Sequence, residues 1–167
     1  MKVVLSLGSN LGNRFQTLQG AVDTLFDAPG LTFVKASPVF ETDPVGGPGG
    51  QRPYLNAIVV AETTLAPRTL LERAQSVENA FGRVREERWG SRTLDVDLIV
   101  VGETVSDEPD LTLPHPRAHE RAFVLVPWAW IDPDGELRGH GRVAELAEGL
   151  DRQGVRLRDD LKLQRPD

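Results

Sequence analysis

The sequence has no cysteine, one methionine, one tyrosine and three lysines among its 167 residues. Without cysteine there is no disulfide framework, no thiolate metal site and no thiol nucleophile. Long apolar runs are missing too: none approaches the roughly 18 residues of a membrane span. The N-terminal MKVVLSLGSN turns polar too early for a signal-peptide core. The expectation is a cytoplasmic chain with neither leader nor anchor. Basic residues are outnumbered by acidic ones, 19 to 25, and the formal net charge of −6 argues against nucleic acid as a partner. With 40% hydrophobic and 26% charged residues the chain is not disordered, and its length suits one domain over 1–167.

Apolar spacing suggests the organisation. Val3, Leu5 and Leu7 alternate as in a half-buried strand. Asn10 or Asn13 is placed to cap a helix that carries Phe15, Leu18, Val22, Leu25 and Phe26 and stops at Pro29-Gly30. Residues 31–40 read as a second strand, 43–53 as a long Gly/Pro-rich loop, and Leu55–Thr63 as a third strand. Pro67 opens a second helix with the stripe Leu70, Ala74, Val77 and Phe81, ended by Gly82. A polar loop over 83–92 precedes a fourth strand, Leu94–Val101, which turns at Gly102 toward a hairpin partner near 104–106. A third helix is expected from Pro116, broken by Pro127, with a short helix at 143–150 and a strand at 154–158 beyond it. The order β-α-β-β-α-β predicts an α+β sandwich of ferredoxin-like type, an antiparallel sheet with helices on one face and C-terminal additions.

The chemistry concentrates around Asp95-Val96-Asp97. Alternation puts Leu94, Val96, Leu98 and Val100 on one face of the strand and Asp95, Asp97, Ile99 and Val101 on the other. Two carboxylates that close repel unless a cation lies between them, and hard oxygen ligands suit a Mg²⁺ whose coordination is completed by water and substrate phosphates. The plainer reading is a solvated strand end. The preceding RVREERWGSR (83–92) holds four arginines and two glutamates, a local +2 that leaves −8 elsewhere. Arg83, Arg85, Arg88 and Arg92 can present planar forks to phosphate oxygens, and a metal pair beside arginines is what phosphoryl transfer needs. Trp89 is an unusual residue for a solvated loop and can close over a ligand. His115 lies between Pro114 and Pro116, so it shares no helical face with His119. It reads either as a hydrogen-bonding phosphate ligand or as a structural histidine. The glycines at 46–50 lack the Gly-Lys-Ser/Thr ending of a P-loop and form a lid or merely a tolerated loop. Tyr54 and Asn56 offer one π face and one amide to a flat heterocycle.

At RWGSRTLDVDLI (88–99) the sequence resembles the 6-hydroxymethyl-7,8-dihydropterin pyrophosphokinase family of folate biosynthesis. LGSNLGNR (7–14), ETDPVG (41–46), YLNA (54–57), GRVREERWG (82–90) and LPHPRAHERAFVL (113–125) extend the resemblance in order along nearly the whole chain. It implies Mg²⁺-dependent transfer of pyrophosphate from ATP to the pterin hydroxymethyl oxygen, releasing AMP. Asp95 and Asp97 match the pair that holds two magnesium ions. Arg83 and Arg92 match arginines that contact the phosphates during transfer, and Arg85, Arg88, Trp89, His115 and Arg121 match further ATP contacts. Gln75 and Glu78 match nucleotide contacts on the second helix, with Leu71 and Leu98 beside the adenine. Thr42, Asp43, Pro44, Val45, Tyr54, Asn56 and Phe123 match the pterin pocket, where Tyr54 and Phe123 sandwich the ring. Loops 43–53 and 82–92 match moving lids. The chain departs from the pattern at Glu86-Glu87, where some members have a longer loop with a lysine, and at Ser91, where proline is usual.

The expected partners are ATP and the hydroxymethyl dihydropterin, with no nucleic acid, no membrane and a monomeric chain. Two other functions compete. A ferredoxin-like RNA-binding module would need aromatics exposed on sheet strands, and a two-metal nuclease using Asp95 and Asp97 would need a wider basic surface.

Overall fold

In the computed structural model of the protein, which describes residues 1–44, 52–82 and 93–166, the apolar run after Met1 forms β1 (Lys2–Ser9). Helix α1 (Arg14–Leu25) follows, capped by the Asn13 side chain, which accepts the Gln16 N–H at 3.0 Å. The expected strand over 31–40 is two strands, β2 (Leu31–Ala36) and β3 (Val39–Thr42). Pro38 has no N–H for a ladder, and Ser37 fills the gap. Its N–H donates to the Ile58 carbonyl at 2.8 Å and its hydroxyl accepts the Ile58 N–H at 2.9 Å. Strand β4 (Tyr54–Thr63) and helix α2 (Pro67–Ala80) lie where apolar spacing puts them, with Pro67 in the first turn and Gly82 at φ +62° past the end.

Strand β5 (Asp95–Val101) turns at Gly102, but the chain does not return along it. Instead β6 (Ser106–Glu108) pairs with β7 (Leu111–Leu113) in a separate hairpin, which Arg68 of α2 holds through Glu108 and Asp110. The helix expected from Pro116 is a single 3₁₀ turn (Ala118–Glu120) followed by α3 (Ala122–Ile131), and Pro127 lies inside α3 without breaking it. An interior proline costs about 3 kcal/mol. Val124, Leu125 and Trp128 are at most 1% exposed, and burying each such side chain contributes about 1.5–3 kcal/mol, so packing outweighs the lost hydrogen bond. A short hairpin, β8 (Glu136–Leu137) with β9 (Gly141–Arg142), then α4 (Val143–Glu148) and β10 (Val155–Arg158) complete the order.

The main sheet runs β10-β3-β4-β1-β5, antiparallel throughout, with β2 pairing β4 beyond the end of β3. Val3, Leu5 and Leu7 face α1 and α2, packing with Leu18, Val22, Leu70 and Val77. The opposite face of β1 is also buried: Val4, Ile58, Val60 and Ile99 pack against Val124, Leu125 and Trp128 of α3 and Val143 of α4. The fold class is the expected α+β antiparallel sheet with packed helices. The C-terminal additions close its second face, where helices on one face alone were expected.

One irregularity changes the expected alternation. Leu5 pairs with Leu98 and Val4 with Val100, so Ile99 is an extra residue on β5. Through Leu98 the faces are as alternation predicts. Past the bulge they exchange: Val101 joins the α1/α2 core and Val100 packs on the α3/α4 side.

Because Trp128 fills the second core and its indole N–H donates to Asp132 at 2.9 Å, Trp128→Ala is expected to destabilise the fold by about 3–5 kcal/mol. The urea midpoint of unfolding measures it.

Candidate active site

The site is built by register. On β1, Gly8 pairs with Asn56 of β4 on one side and with Asp95 of β5 on the other; two residues back, Ser6 pairs with Asp97. Thr42 of β3 pairs with Tyr54 of β4. All these positions share the α3 face. One strand, β1, lies between Asn56 and Asp95, and the two inter-strand spacings set their backbones roughly 10 Å apart. Over this row opens a cavity of about 500 Å³, roofed by Arg121 and Phe123 at the start of α3.

Gly8 makes room for the floor of this cavity. A Cβ there would lie 2.8 Å from Asn56 Nδ2 and 3.5 Å from Tyr54 Cδ2. Thr42 orients the amide, its hydroxyl donating to Asn56 Oδ1 at 2.5 Å while Asn56 Nδ2 donates to the Leu7 carbonyl at 3.4 Å. An amide has two donors and two acceptor positions, so a donor and an acceptor remain for the edge of a heterocycle. Arg121 is half-buried, with its guanidinium carbon 5.4 Å from the Phe123 ring centre. Burial pulls its pKa below the ordinary arginine value, while the Asp97 and Asp95 carboxylates act against that shift.

The β5 bulge places His115. The Ile99 carbonyl accepts the His115 N–H at 2.8 Å, and His115 Nδ1 accepts the Arg117 N–H at 3.2 Å. The imidazole proton therefore sits on Nε2, a neutral donor. Burial, then the charges of Arg121 and Arg117, push the His115 pKa down from 6.5 to about 4. His119 turns away and stacks on His140 with ring centres 3.9 Å apart, so the two histidines of this segment form no joint site.

Of the residues singled out from the sequence, Thr42, Asp43, Pro44, Tyr54, Asn56, Asp95, Asp97, Arg121 and Phe123 line the cavity. Leu71, Gln75, Glu78, Leu98 and His115 do not. The first four gather where α2 packs on β5, behind the carboxylates. There Gln75 is exposed, Leu98 is in the core, and buried Glu78 accepts the Val96 N–H at 2.8 Å, anchoring β5 between its two aspartates. Val45, Arg83, Arg85, Arg88, Trp89 and Arg92 lie outside the described residues.

The cavity also uses residues that sequence reasoning passed over. Ser6 and Gly8 were readable from the parity of β1, since they stand opposite the apolar Leu5 and Leu7. Arg117, Glu120 and the tail residues Asp151, Gln153, Gly154 and Val155 carry no local signal. Among the described residues, the walls hold five acidic side chains (Asp43, Asp95, Asp97, Glu120 and Asp151) against the basic Arg117 and Arg121. These described walls favour an anionic ligand that arrives with cations.

The donor chemistry fits a hard divalent ion. Asp95 and Asp97 supply oxygen ligands, and no group of three or more His, Cys, Asp or Glu side chains among the described residues forms a ready cage. Two carboxylates completed by substrate oxygens and water would suit Mg²⁺ better than zinc or calcium. The sheet face an RNA-binding module would expose is covered by α3 and α4.

A cavity on one face of an antiparallel sheet, with paired carboxylates in its wall, marks an α+β enzyme. Residues 4–133 match the profile of 7,8-dihydro-6-hydroxymethylpterin-pyrophosphokinase (HPPK), and the chain belongs to this family. It is 49% identical to the 2-amino-4-hydroxy-6-hydroxymethyldihydropteridine pyrophosphokinase of Mycobacterium leprae, over 98% of this chain and 93% of that protein. The enzyme of the same name from Bacillus subtilis is 42% identical over 92% of this chain and 87% of its own length. The crystal structure of wild-type Plasmodium falciparum HPPK-DHPS with pteroate shares the fold, with a TM-score of 0.67 at 11% identity over 88% of this chain. The chain spans 44% of that longer polypeptide. The activity is pyrophosphoryl transfer from ATP to 6-hydroxymethyl-7,8-dihydropterin, giving AMP and the pterin diphosphate in folate biosynthesis.

Two tests follow from the geometry. Gly8→Ala forces the Asn56 amide to move and is expected to weaken pterin binding about tenfold with little change in ATP affinity, read by titration calorimetry. For His115, the unfolded chain takes up a proton between pH 6.5 and about 4 that the folded chain refuses. Its contribution to stability is present above pH 6.5 and lost as the pH falls toward 4. Urea midpoints across this range are expected to fall less steeply in His115→Asn than in the wild type.

Proposed function

We propose that the cavity holds the pterin ring at its Thr42–Asn56 end and the reacting phosphates of ATP at its Asp95–Asp97 end. One observation carries the reading: register sets Asn56, Gly8 and Asp95 in one row, so that an amide and a carboxylate pair bracket a gap suited to a fused two-ring heterocycle. Tyr54 and Phe123 face that gap and would stack on the ring, with Asn56, fixed by Thr42, reading its edge. Asp43, Pro44 and Val45 would form the rim. The hydroxymethyl arm then points along the row toward Asp95 and Asp97.

Asp95 and Asp97 would hold two magnesium ions with ATP, which when bound offset the charge on the phosphate oxygens. Arg121, half-buried between Phe123 and the aspartates, would orient the chain of phosphates; His115 would donate from Nε2 as a neutral group at any pH above about 5. Arg83, Arg85, Arg88, Arg92 and Trp89 would supply the remaining phosphate contacts and exclude water, with Leu71, Gln75, Glu78 and Leu98 on the adenine side. No side chain is required as a base: alignment and charge neutralisation suffice, and the hydroxyl proton leaves late to solvent or to a phosphate oxygen.

The experiment is incubation with Mg²⁺, ATP and the hydroxymethyl dihydropterin, followed by separation of nucleotides and pterins, for the wild type, Asp95→Asn and Asp97→Asn. The wild type is expected to give AMP with pterin diphosphate, and each variant to lose at least about 10²-fold in kcat while keeping its urea midpoint. ADP or inorganic phosphate as the product, or variants of undiminished rate, would overturn the reading.

A further inference from the structure

The last strand of the sheet belongs to the cavity. Strand order places β5, with Asp95 and Asp97, at one edge and β10 at the other. The reacting hydroxymethyl arm must lie by the carboxylates, so the opposite, pyrimidine edge of the ring looks toward β3 and β10. There the tail folds back in a tight turn: Asp151 Oδ1 accepts the Gln153 N–H at 2.8 Å and the Arg152 carbonyl accepts the Val155 N–H at 3.1 Å. This turn brings Asp151, Gln153, Gly154 and Val155 to the cavity wall.

The turn is latched to Asp43 at three points. The Asp43 N–H donates to the Gly154 carbonyl at 2.9 Å, and Arg156 Nη2 donates to Asp43 Oδ1 at 3.1 Å. Gly154, at φ +87°, lies so close that a Cβ on it would sit 2.8 Å from Asp43 Oδ2. Behind the latch, Arg158 and Arg14 both bind Glu41, at 3.3 and 2.7 Å, tying β10 and the start of α1 to the same strand. These arginines hold the Glu41 carboxyl below the usual carboxylate range, Arg14 through its hydrogen bond foremost. Asp43 directly follows Thr42, whose hydroxyl orients the Asn56 amide. A shift of Asp43 therefore passes by one peptide to the group that reads the ring.

We infer that residues 151–156 form the far wall of the pterin site, and that Arg156 and Gly154 are positioning residues that act on the pterin through Asp43. The inference rests on the placement of the ring proposed above. It assigns the C-terminal segment to substrate recognition and leaves the nucleotide side to other elements. Arg156 and Asp43 are exposed side chains, 47% and 59%, so their pair contributes little to global stability. Its loss reports on the site and not on the fold.

The test measures affinity for hydroxymethyl dihydropterin in the presence of Mg²⁺ and a non-hydrolysable ATP analogue, and separately for the analogue. The variants are Arg156→Ala, Arg156→Lys, Asp43→Ala, their Ala/Ala double and Gly154→Ala, with Arg142→Ala as a surface control. Arg156→Ala and Gly154→Ala are each expected to weaken pterin binding about fivefold or more, with nucleotide affinity within about twofold of wild type. Arg156→Lys should recover part of the loss, and the double variant should bind no worse than the weaker single. Unchanged pterin affinity in Arg156→Ala, fully additive losses, or equal weakening of both ligands would overturn the inference alone. A wild type that binds the nucleotide but not the pterin would overturn the proposed placement of the ring, and this inference with it.

Discussion

The antiparallel pairing of β1 with β4 on one side and β5 on the other is the constraint on which the rest of this molecule depends. It positions Gly8 between Asn56 and Asp95, and Ser6 beside Asp97. Because side chains on a strand alternate with a period of two, a one-residue slip of β5 would send both aspartates into the α1/α2 core, and one of β1 would send Leu5 and Leu7 into the cavity. The apolar face of β1, with Val3, Leu5 and Leu7 at most 1% exposed, penalises such a slip heavily. Core packing thus fixes the spacing between Asn56 and the two carboxylates.

The face opposite α1 and α2 carries the cavity, and it is the face that the C-terminal half of the chain covers. Helix α3 covers Ile58, Val60 and Ile99 with its apolar side and leaves its first turn, Arg121 to Phe123, hanging over the open end of the sheet. The bulge at Ile99 reverses the parity of β5 after the aspartates have been presented, so the same strand serves the site at its start and both cores at its end. It also turns the Ile99 carbonyl toward the His115 N–H, which settles the imidazole beside Arg121.

Charge follows the same division. A net charge of −6 counts against nucleic acid as a partner, yet it gives no guide to a nucleotide brought in with metal. The five carboxylates among the described walls are a poorer receptor for bare polyphosphate than for one accompanied by cations. The lack of cysteine fits as well, since transfer by alignment and charge neutralisation uses no nucleophile from the protein.

Much of this was legible along the chain. Period-two and helical spacing located β1, α1, β4, α2 and β5, because the strands alternate apolar residues, the helices each bury one stripe, and start and stop signals stand at Asn13, Pro67 and Gly82. The aspartate pair, Tyr54 and Asn56 stood out by residue type and spacing, and Phe123 by the family resemblance. The division of 31–40 at Ser37-Pro38, the passage of α3 through Pro127 and the bulge at Ile99 did not, because each is decided by partners distant in sequence: Ile58, the second face of the sheet, and Val4. The tail was legible in part: a strand was expected at 154–158 and β10 forms at Val155–Arg158, but its pairing with β3 beside the cavity depends on an edge more than a hundred residues away in sequence. The sequence by itself determined which chemistry the chain can perform, since carboxylates, arginines and aromatic rings are properties of residues. Tertiary structure alone decided which of them meet, because long-range pairing and the burial of a second sheet face are set by elements far apart along the chain.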